Sequence, residues 1–351
     1  MVRPRLKDVA KLAGVSIKTV SNVVNDYPHV SDVTRARVEA AIAELSYRPN
    51  LSARSLRAGR SGVVALAVPD LDNPYFAELA TNVIEAADRR GWTVLIDQTQ
   101  GDRAKERVVI SGIRDHLIDG LLFSPLALTG KDLAGRDERT PMVLLGERIG
   151  TGRSPYDHVG IDNVAAARAA TLHLAERGRR RIAAIGVQRT AAAATGRLRL
   201  KGYRQALAEA GVPADPSLVA LVARWGRADG AEAMSRLLDS GAPDAVFCFN
   251  DTLALGALRT LLKRGCEVPG DVMVMGFDDI QDGRFATPTL STVAPDKALI
   301  AQSAVDLLAE RLSGGTDKAH EVCVPHRLAF RESTDLPEKG HSRDCSAKLA
   351  I

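Results

Sequence analysis

Apolar positions follow two different periods along this chain. In the first fifty residues they recur at intervals of three and four. Leu6, Val9, Ala10 and Ala13 predict an amphipathic helix that Gly14 ends. In the stretch GVSIKTVSNVVN, residues 14–25, Val20, Val23 and Val24 share one helical face. Lys18, Ser21, Asn22 and Asn25 share the other, and Ser16 can cap this helix by accepting from the Thr19 amide. A third helix follows, with Ser31 as its cap and Val38, Ile42 and Leu45 as its apolar stripe. Two short helices joined by a tight glycine turn and backed by a third make a helix-turn-helix.

From Gly62 the pattern changes to short apolar runs: VVALAVP, TVLI, DGLLF, MVLLG, RIAAIG, DAVFCF and VMVMGF. Helical stretches such as FAELATNVIEAADRRG and AAARAATLHLAERG separate them. Strands alternating with helices predict βαβ units and parallel sheets covered on both faces. The expected class is α/β, with chain enough for two sheets.

The segment YRPNLSARSLRAGRS joins the two regions. Pro49 interrupts any helix continuing from Leu45, Asn50 can cap a new one and Gly59 can end it. Fewer than about ten residues do not make a stable isolated helix in water. Arg54, Arg57 and Arg60 make the segment basic around one apolar residue, Leu56. Residues alone leave two readings open, a flexible linker and a helix that forms on a partner.

Charge sharpens the picture of the head. The chain of 351 residues carries a net +4, but unevenly. Residues 1–60 hold 11 Lys/Arg against 5 Asp/Glu, a net +6, leaving 36 against 38 in the remainder, a net −2. A basic head on a near-neutral body suits a polyanion. The polar face at residues 16–25 consists of amides, hydroxyls and one lysine rather than Glu/Lys pairs, which favours a surface laid in the DNA major groove over a merely solvated one. Ile17 has two readings, the edge of the core stripe and contact with a thymine methyl.

Other classes find little support. No apolar run approaches the roughly 18 residues of a membrane helix. The N-terminus lacks the apolar core of a signal peptide, so a soluble cytoplasmic protein is expected. Cys248, Cys266, Cys323 and Cys345 show no C-x-x-C spacing, which argues against a zinc site and a disulfide framework. No G-x-G-x-x-G follows the first strand, and Walker, G-x-S-x-G and H-E-x-x-H patterns are missing. The expectation is a protein that is not an enzyme and needs no cofactor or metal. A transport binding protein and an intracellular sugar enzyme are the rival readings.

The stretches DVAKLAGVSIKTVSNVVN, HVSDVTRARVEAAIAELSYRPN and LSARSLRAGRSGVVALAVPDLDNPYF resemble the lactose-repressor (LacI/GalR) family, densely over residues 6–80 and more loosely to about 331. Arg5 departs from the family's usual Thr or Ser cap. The resemblance implies a ligand-controlled repressor that binds a near-palindromic operator in double-stranded DNA as a homodimer. It implies a helix-turn-helix domain over 1–48, a hinge over 49–60, an effector-binding and dimerisation domain over 61–335 and a tail over 336–351. The effector domain would be two-lobed and similar to periplasmic sugar-binding proteins. Lobe one would be about 62–160 plus 293–320, and lobe two about 161–290 plus 321–331. DNA contacts fall to Ser16, Ile17, Lys18, Thr19, Ser21, Asn22, Asn25, His29 and Ser31, and in the hinge to Ala53, Arg54 and Leu56, with Leu56 inserted into the minor groove. The tail has no leucine heptads, so a dimer is expected rather than a tetramer.

The effector would sit at the carboxyl ends of the strands. Loops there offer Asn73, Tyr75 and Phe76, then Glu147 and Arg148, then Thr195 and Arg199, then Trp225, Asn250 and Asp278. Aromatic faces beside Asp, Asn and Arg suit a sugar, whose C–H face stacks and whose hydroxyls take paired hydrogen bonds. Each residue also has a plainer role: Asp72–Asn73–Pro74 as a turn, Trp225 as core, Asn250 and Asp278 as helix caps. For Asp72 and Thr195 the plainer role weighs equally. Arg148 and Arg199 are matched by Glu147 and Asp278, which favours a neutral sugar. Pro295 stands where relatives carry a polar contact, and Lys297 is read as a rim lysine.

Overall fold

The computed structural model describes residues 4–24, 27–47, 60–111, 117–133, 140–147, 149, 155–189, 194–315 and 318–335. They divide into two units after Gly62.

The first unit is a three-helix head. Its helices are α1 (Leu6–Ala13), α2 (Ile17–Val24) and α3 (Asp32–Glu44). Val9, Ala10, Ala13, Val20, Val23, Val38 and Ala41 form its core, joined by Tyr47. Ile42, Leu45 and Val24 are only partly buried. Gly14 ends α1 in the left-handed conformation, φ 63°, where a side chain would be strained. Arg37 of α3 donates to the carbonyls of Ala13 at 2.5 Å and Gly14 at 3.3 Å, tying the third helix to the turn. Where Arg5 replaces a hydroxyl cap, the Asp8 carboxylate accepts from the Arg5 amide at 2.7 Å, so one orphan donor is still satisfied. Ser16 accepts from the Thr19 amide at 3.0 Å and Ser31 from the Thr34 amide at 3.4 Å, as their spacing predicts.

The second unit runs β1 (Val63–Val68), α4 (Pro74–Asp88), β2 (Thr93–Gln98), α5 (Arg103–Ile110), β3 (Gly120–Phe123), α6 (Gly130–Leu133), β4 (Met142–Leu145) and β5 (Asp157–Gly160). It continues with α7 (Asn163–Glu176), β6 (Ile182–Val187), α8 (Ala194–Glu209), β7 (Val219–Leu221), α9 (Arg227–Gly241), β8 (Ala245–Cys248) and α10 (Asp251–Lys263). Then come β9 (Met273–Phe277), α11 (Gln281–Arg284), β10 (Ser291–Pro295), α12 (Lys297–Leu312), β11 (Glu321–Cys323) and β12 (His326–Ala329).

Two six-stranded sheets result, ordered β11-β5-β4-β3-β1-β2 and β12-β10-β9-β8-β6-β7. Every pairing is parallel except β10 with β12. The seven apolar runs all become strands. Six are buried, while β2 lies at an edge with Leu95 and Ile96 exposed.

The lobe boundaries expected at 293 and 321 need correction. Strand β10, from 291 to 295, pairs with β9 in the second sheet, and β11, from 321 to 323, pairs with β5 in the first. The chain therefore crosses between sheets after Gly160, after Pro295 and after Cys323. Helix α12 returns to the first sheet, its Ile300, Ala304, Val305 and Leu308 packing with Val64, Leu122 and Val143. Helices α9 and α10 approach very closely: a Cβ on Gly230 would run into the Leu253 carbonyl, and one on Gly256 into that of Arg227.

Candidate functional site

In the head, Ser16, Ile17 and Lys18 are exposed at the start of α2, and Thr19, Ser21 and Asn22 are half-buried behind them. Ile17 is 47% exposed and does not complete the core stripe. His29 is exposed and packs edge-on against Tyr27, ring centres 5.5 Å apart. Ser31 is exposed and spends its hydroxyl on the α3 cap. Asn25, Ala53, Arg54, Leu56 and Arg148 lie outside the described residues, as does most of the 49–60 segment.

In the second unit, the strand-end residues converge around one buried arginine. Arg199, on the inner face of α8, donates through Nε to Asn163 Oδ1 at 2.9 Å and through a second nitrogen to the Phe249 carbonyl. Its guanidinium lies 3.4 Å from the Phe277 ring centre and 5.2 Å from that of Trp225, the geometry of a cation over aromatic faces. Asp278 Oδ1 stands 3.9 Å from it. Burial lowers the Arg199 pKa, and Asp278, Tyr75, Glu147 and Asp251 oppose that shift. Tyr75 and Phe76 open α4 with rings edge to face, centres 5.1 Å apart. Burial, helped by the Asp278 charge, raises the Tyr75 phenol. Asn73 caps this helix, accepting from the Tyr75 amide at 3.1 Å.

Asp278 is buried in an unusual backbone form. Its φ is 113°, and Asp279 follows at 50°. Two successive side-chain-bearing residues in this region store strain, which surrounding contacts must hold. The pKa of Asp278 is raised to about 6, burial and Glu78 outweighing Arg199 and Lys297. Glu147, after β4 in the first sheet, accepts from the Thr195 amide at 3.2 and 3.0 Å in the first turn of α8, against the second sheet. A carboxylate at a helix N-terminus meets orphan amides and the positive end of the dipole. Burial raises its pKa.

Several sequence readings change. Asn250 is 0% exposed. Its oxygen accepts from the Leu253 amide to cap α10 at 2.9 Å, and its amide donates to the Trp225 carbonyl at 3.2 Å. It therefore seats Trp225 and caps α10. Trp225 is half-buried, with its indole N–H donating to the Gly186 carbonyl at 2.8 Å. Lys297 is not a rim residue: its side chain is 11% exposed, and its ammonium donates to the Asp278 and Asp279 carbonyls at 2.7 and 2.9 Å.

Asp251 was not singled out by motif, yet it lies behind Asp278. It accepts from the Thr292 hydroxyl at 2.6 Å and from the Ile280 amide at 3.0 Å. Burial and Asp278 raise its pKa well above the usual carboxylate range. Its only sequence signal is its place after Asn250 at a strand end. Among the described residues no three His, Cys, Asp or Glu side chains come together to hold a metal, and no helix is long and apolar enough to cross a membrane.

Comparisons with known proteins identify the family and the fold. The model for bacterial regulatory proteins of the lacI family matches residues 5–50, and that for a periplasmic binding protein-like domain matches 171–334. The HTH-type transcriptional regulator DegA of Bacillus subtilis is 37% identical over 341 residues, covering 95% of this chain and 98% of that one. The lac repressor dimer bound to operator and the anti-inducer ONPF superposes with a TM-score of 0.81 at 27% identity, covering 95% of this chain and 99% of that one. The transcriptional regulator CelR in complex with cellobiose has a TM-score of 0.70 at 33% identity, covering 94% and 100%.

Proposed function

We propose, from the premise that this chain belongs to the lacI family of bacterial regulatory proteins and is a DNA-binding transcriptional regulator rather than an enzyme, that it is a homodimeric repressor of a near-palindromic operator released or recruited by a neutral sugar. The observation that carries the effector reading is the buried Arg199–Asp278 pair under Phe277 and Trp225 at the strand ends. The half-buried Trp225 can cover a sugar's C–H surface, while Asp278 accepts from its hydroxyls. Among the described groups, Glu78, Glu147, Asp251 and Asp278 outnumber Arg199 and Lys297, and Lys297 is already engaged. Arg197 is a further cation whose charge reaches these described groups, acting on Glu147, so a phosphate or carboxylate would still meet more carboxylates than cations among them. The cellobiose bound by CelR supports the same class.

In the head, Lys18 and Asn22 read base edges, Lys18 donating to guanine and Asn22 pairing with adenine, with Ile17 against a thymine methyl. Ser16, Thr19, Ser21, Asn25, His29 and Ser31 complete the surface. The 49–60 segment is the hinge, whose Leu56 wedges the minor groove beside Ala53 and Arg54. The domain limits 1–48, 49–60 and 61–335, with a tail over 336–351, follow from this division. Leu95 and Ile96 on the edge strand and Phe285, 79% exposed, supply apolar surface that a second copy would cover.

The test is a gel shift on genomic fragments with and without sugars, joined to a thermal-shift screen of sugars, sugar phosphates and purines. A sugar at about 100 times its dissociation constant stabilises the folded state by about 2.7 kcal/mol. Stabilisation by purines or sugar phosphates alone would sink the neutral-sugar reading.

A further inference from the structure

Lys297 opens α12 and Glu78 lies in the second turn of α4, three residues after Tyr75 on the same helical face. Both helices pack on the first sheet. The turn that follows β9 belongs to the second. The Lys297 ammonium has three N–H groups and three acceptors: the Asp278 carbonyl at 2.7 Å, the Asp279 carbonyl at 2.9 Å and Glu78 Oε2 at 2.6 Å. Glu78 Oε1 accepts in turn from the Gln281 amide at 2.9 Å. The same turn holds both left-handed aspartates.

We propose that Lys297 and Glu78 form a clamp between the first lobe and the Asp278–Gln281 turn of the second, which positions the Asp278 carboxylate in the cleft. The inference rests on the cleft reading given above. The turn needs such a clamp. Successive left-handed residues aim the Asp278 and Asp279 carbonyls at one point, where their lone pairs repel unless a cation lies between them. A neutral side chain at 297 would leave both carbonyls buried without donors and the Glu78 carboxylate without its cation beside Asp278. On the far side, Asp251 holds the Ile280 amide, and Arg331 and Arg284 hold the Asp279 carboxylate at 2.5 and 2.8 Å. These contacts all come from elements of the second lobe. Among the described residues, the hydrogen bonds that carry the hold across to the first are those of Glu78 and Lys297. Because the ammonium has no N–H left over, it is a positioning group and not an anion site.

Asp278 supplies the readout. Lys297 from α12 and Arg199 from α8 lower its pKa, Glu78 from α4 raises it, and Tyr75 and Asp251 also face it. The experiment uses the full chain labelled with ¹³C at aspartate carboxyls, the Asp278 signal being assigned by its loss in Asp278→Asn. Lys297→Met should move the Asp278 titration above its parental pH, and the near-isosteric Glu78→Gln should move it below. Amide exchange across residues 278–282 should quicken about tenfold in either variant, with Met273–Phe277 still protected. Titrations that stay put, or that move in the same direction, overturn the clamp, as does unchanged exchange. If Lys297→Met loses protection in Met273–Phe277 as well, Glu78→Gln decides alone. Neither measurement uses an effector, so a negative result leaves the sugar reading to its own screen.

Discussion

Arg199 and Asp278 face each other at 3.9 Å, both nearly inaccessible to solvent, although one comes from α8 and the other from a turn after β9. The pair is longer than a direct hydrogen bond. Arg199 spends its other nitrogens on Asn163 and Phe249, so the protein holds the guanidinium in place before any ligand arrives. A site preorganised in this way loses less freedom on binding.

Arg199→Ala should therefore abolish the response to effector while leaving operator affinity in its absence within a few fold. Effector control requires differential affinity for two states, and this pair is where a ligand would supply it. The variant should also lose about 3–5 kcal/mol of stability, since it strands buried carboxylates. Gel shifts with and without effector, with a denaturant melt alongside, measure both. A normal effector response would remove Arg199 from the cleft.

Asp278 makes stability depend on pH in a definite direction. Its folded pKa of about 6 lies above the ordinary 3.8, so the native state binds its proton more tightly than the unfolded chain. This residue's contribution then favours folding below the ordinary value and fades as pH rises through 6. The parent should lose roughly 1–3 kcal/mol relative to Asp278→Asn between pH 4 and 7. Urea unfolding of the two proteins across that range checks it, and parallel curves would contradict it.

Asn22→Ala should relax base preference at matching positions in both half-sites, costing roughly 1–3 kcal/mol per lost bidentate pair. Selection of binding sites from random DNA reads this out directly. If the variant selects the parental sequence, Asn22 serves the backbone or the fold instead.

Gly256→Ala tests packing away from both sites. A methyl there meets the Arg227 carbonyl, so α9 and α10 must separate. The expected cost is about 1–3 kcal/mol, as for other overpacked positions. A melting temperature equal to the parent's would show that the helices can yield freely.

Local periodicity alone specified much of this protein. The head was legible because its core stripe, glycine turn and caps Ser16 and Ser31 are set by residues within four positions of one another. The seven apolar runs announced seven strands for the same reason. Strand β5 was not legible. It reads Asp157-His158-Val159-Gly160, and its buried carboxylate is tolerated because Arg311, 154 positions away, holds it with two hydrogen bonds, while Glu321 meets His158 at 2.7 Å. Short strands β7, β10, β11 and β12 likewise take their identity from neighbours in the sheet. Which lobe owns β10 or β11 depends on long-range pairing that no local pattern encodes.

The site divides along the same line. Strand-end segments, read together with the family resemblance, placed Tyr75, Arg199, Trp225 and Asp278 in one region, although Arg199 falls inside α8 and not on a loop. Whether a polar group faces the cavity or serves the frame depends on what other segments bring within about 3 Å. The Leu253 amide and the Trp225 carbonyl turned Asn250 into a support. Two carbonyls and Glu78 drew Lys297 inward, although a lone lysine belongs at the surface, because three acceptors from two distant segments replace the water it gives up.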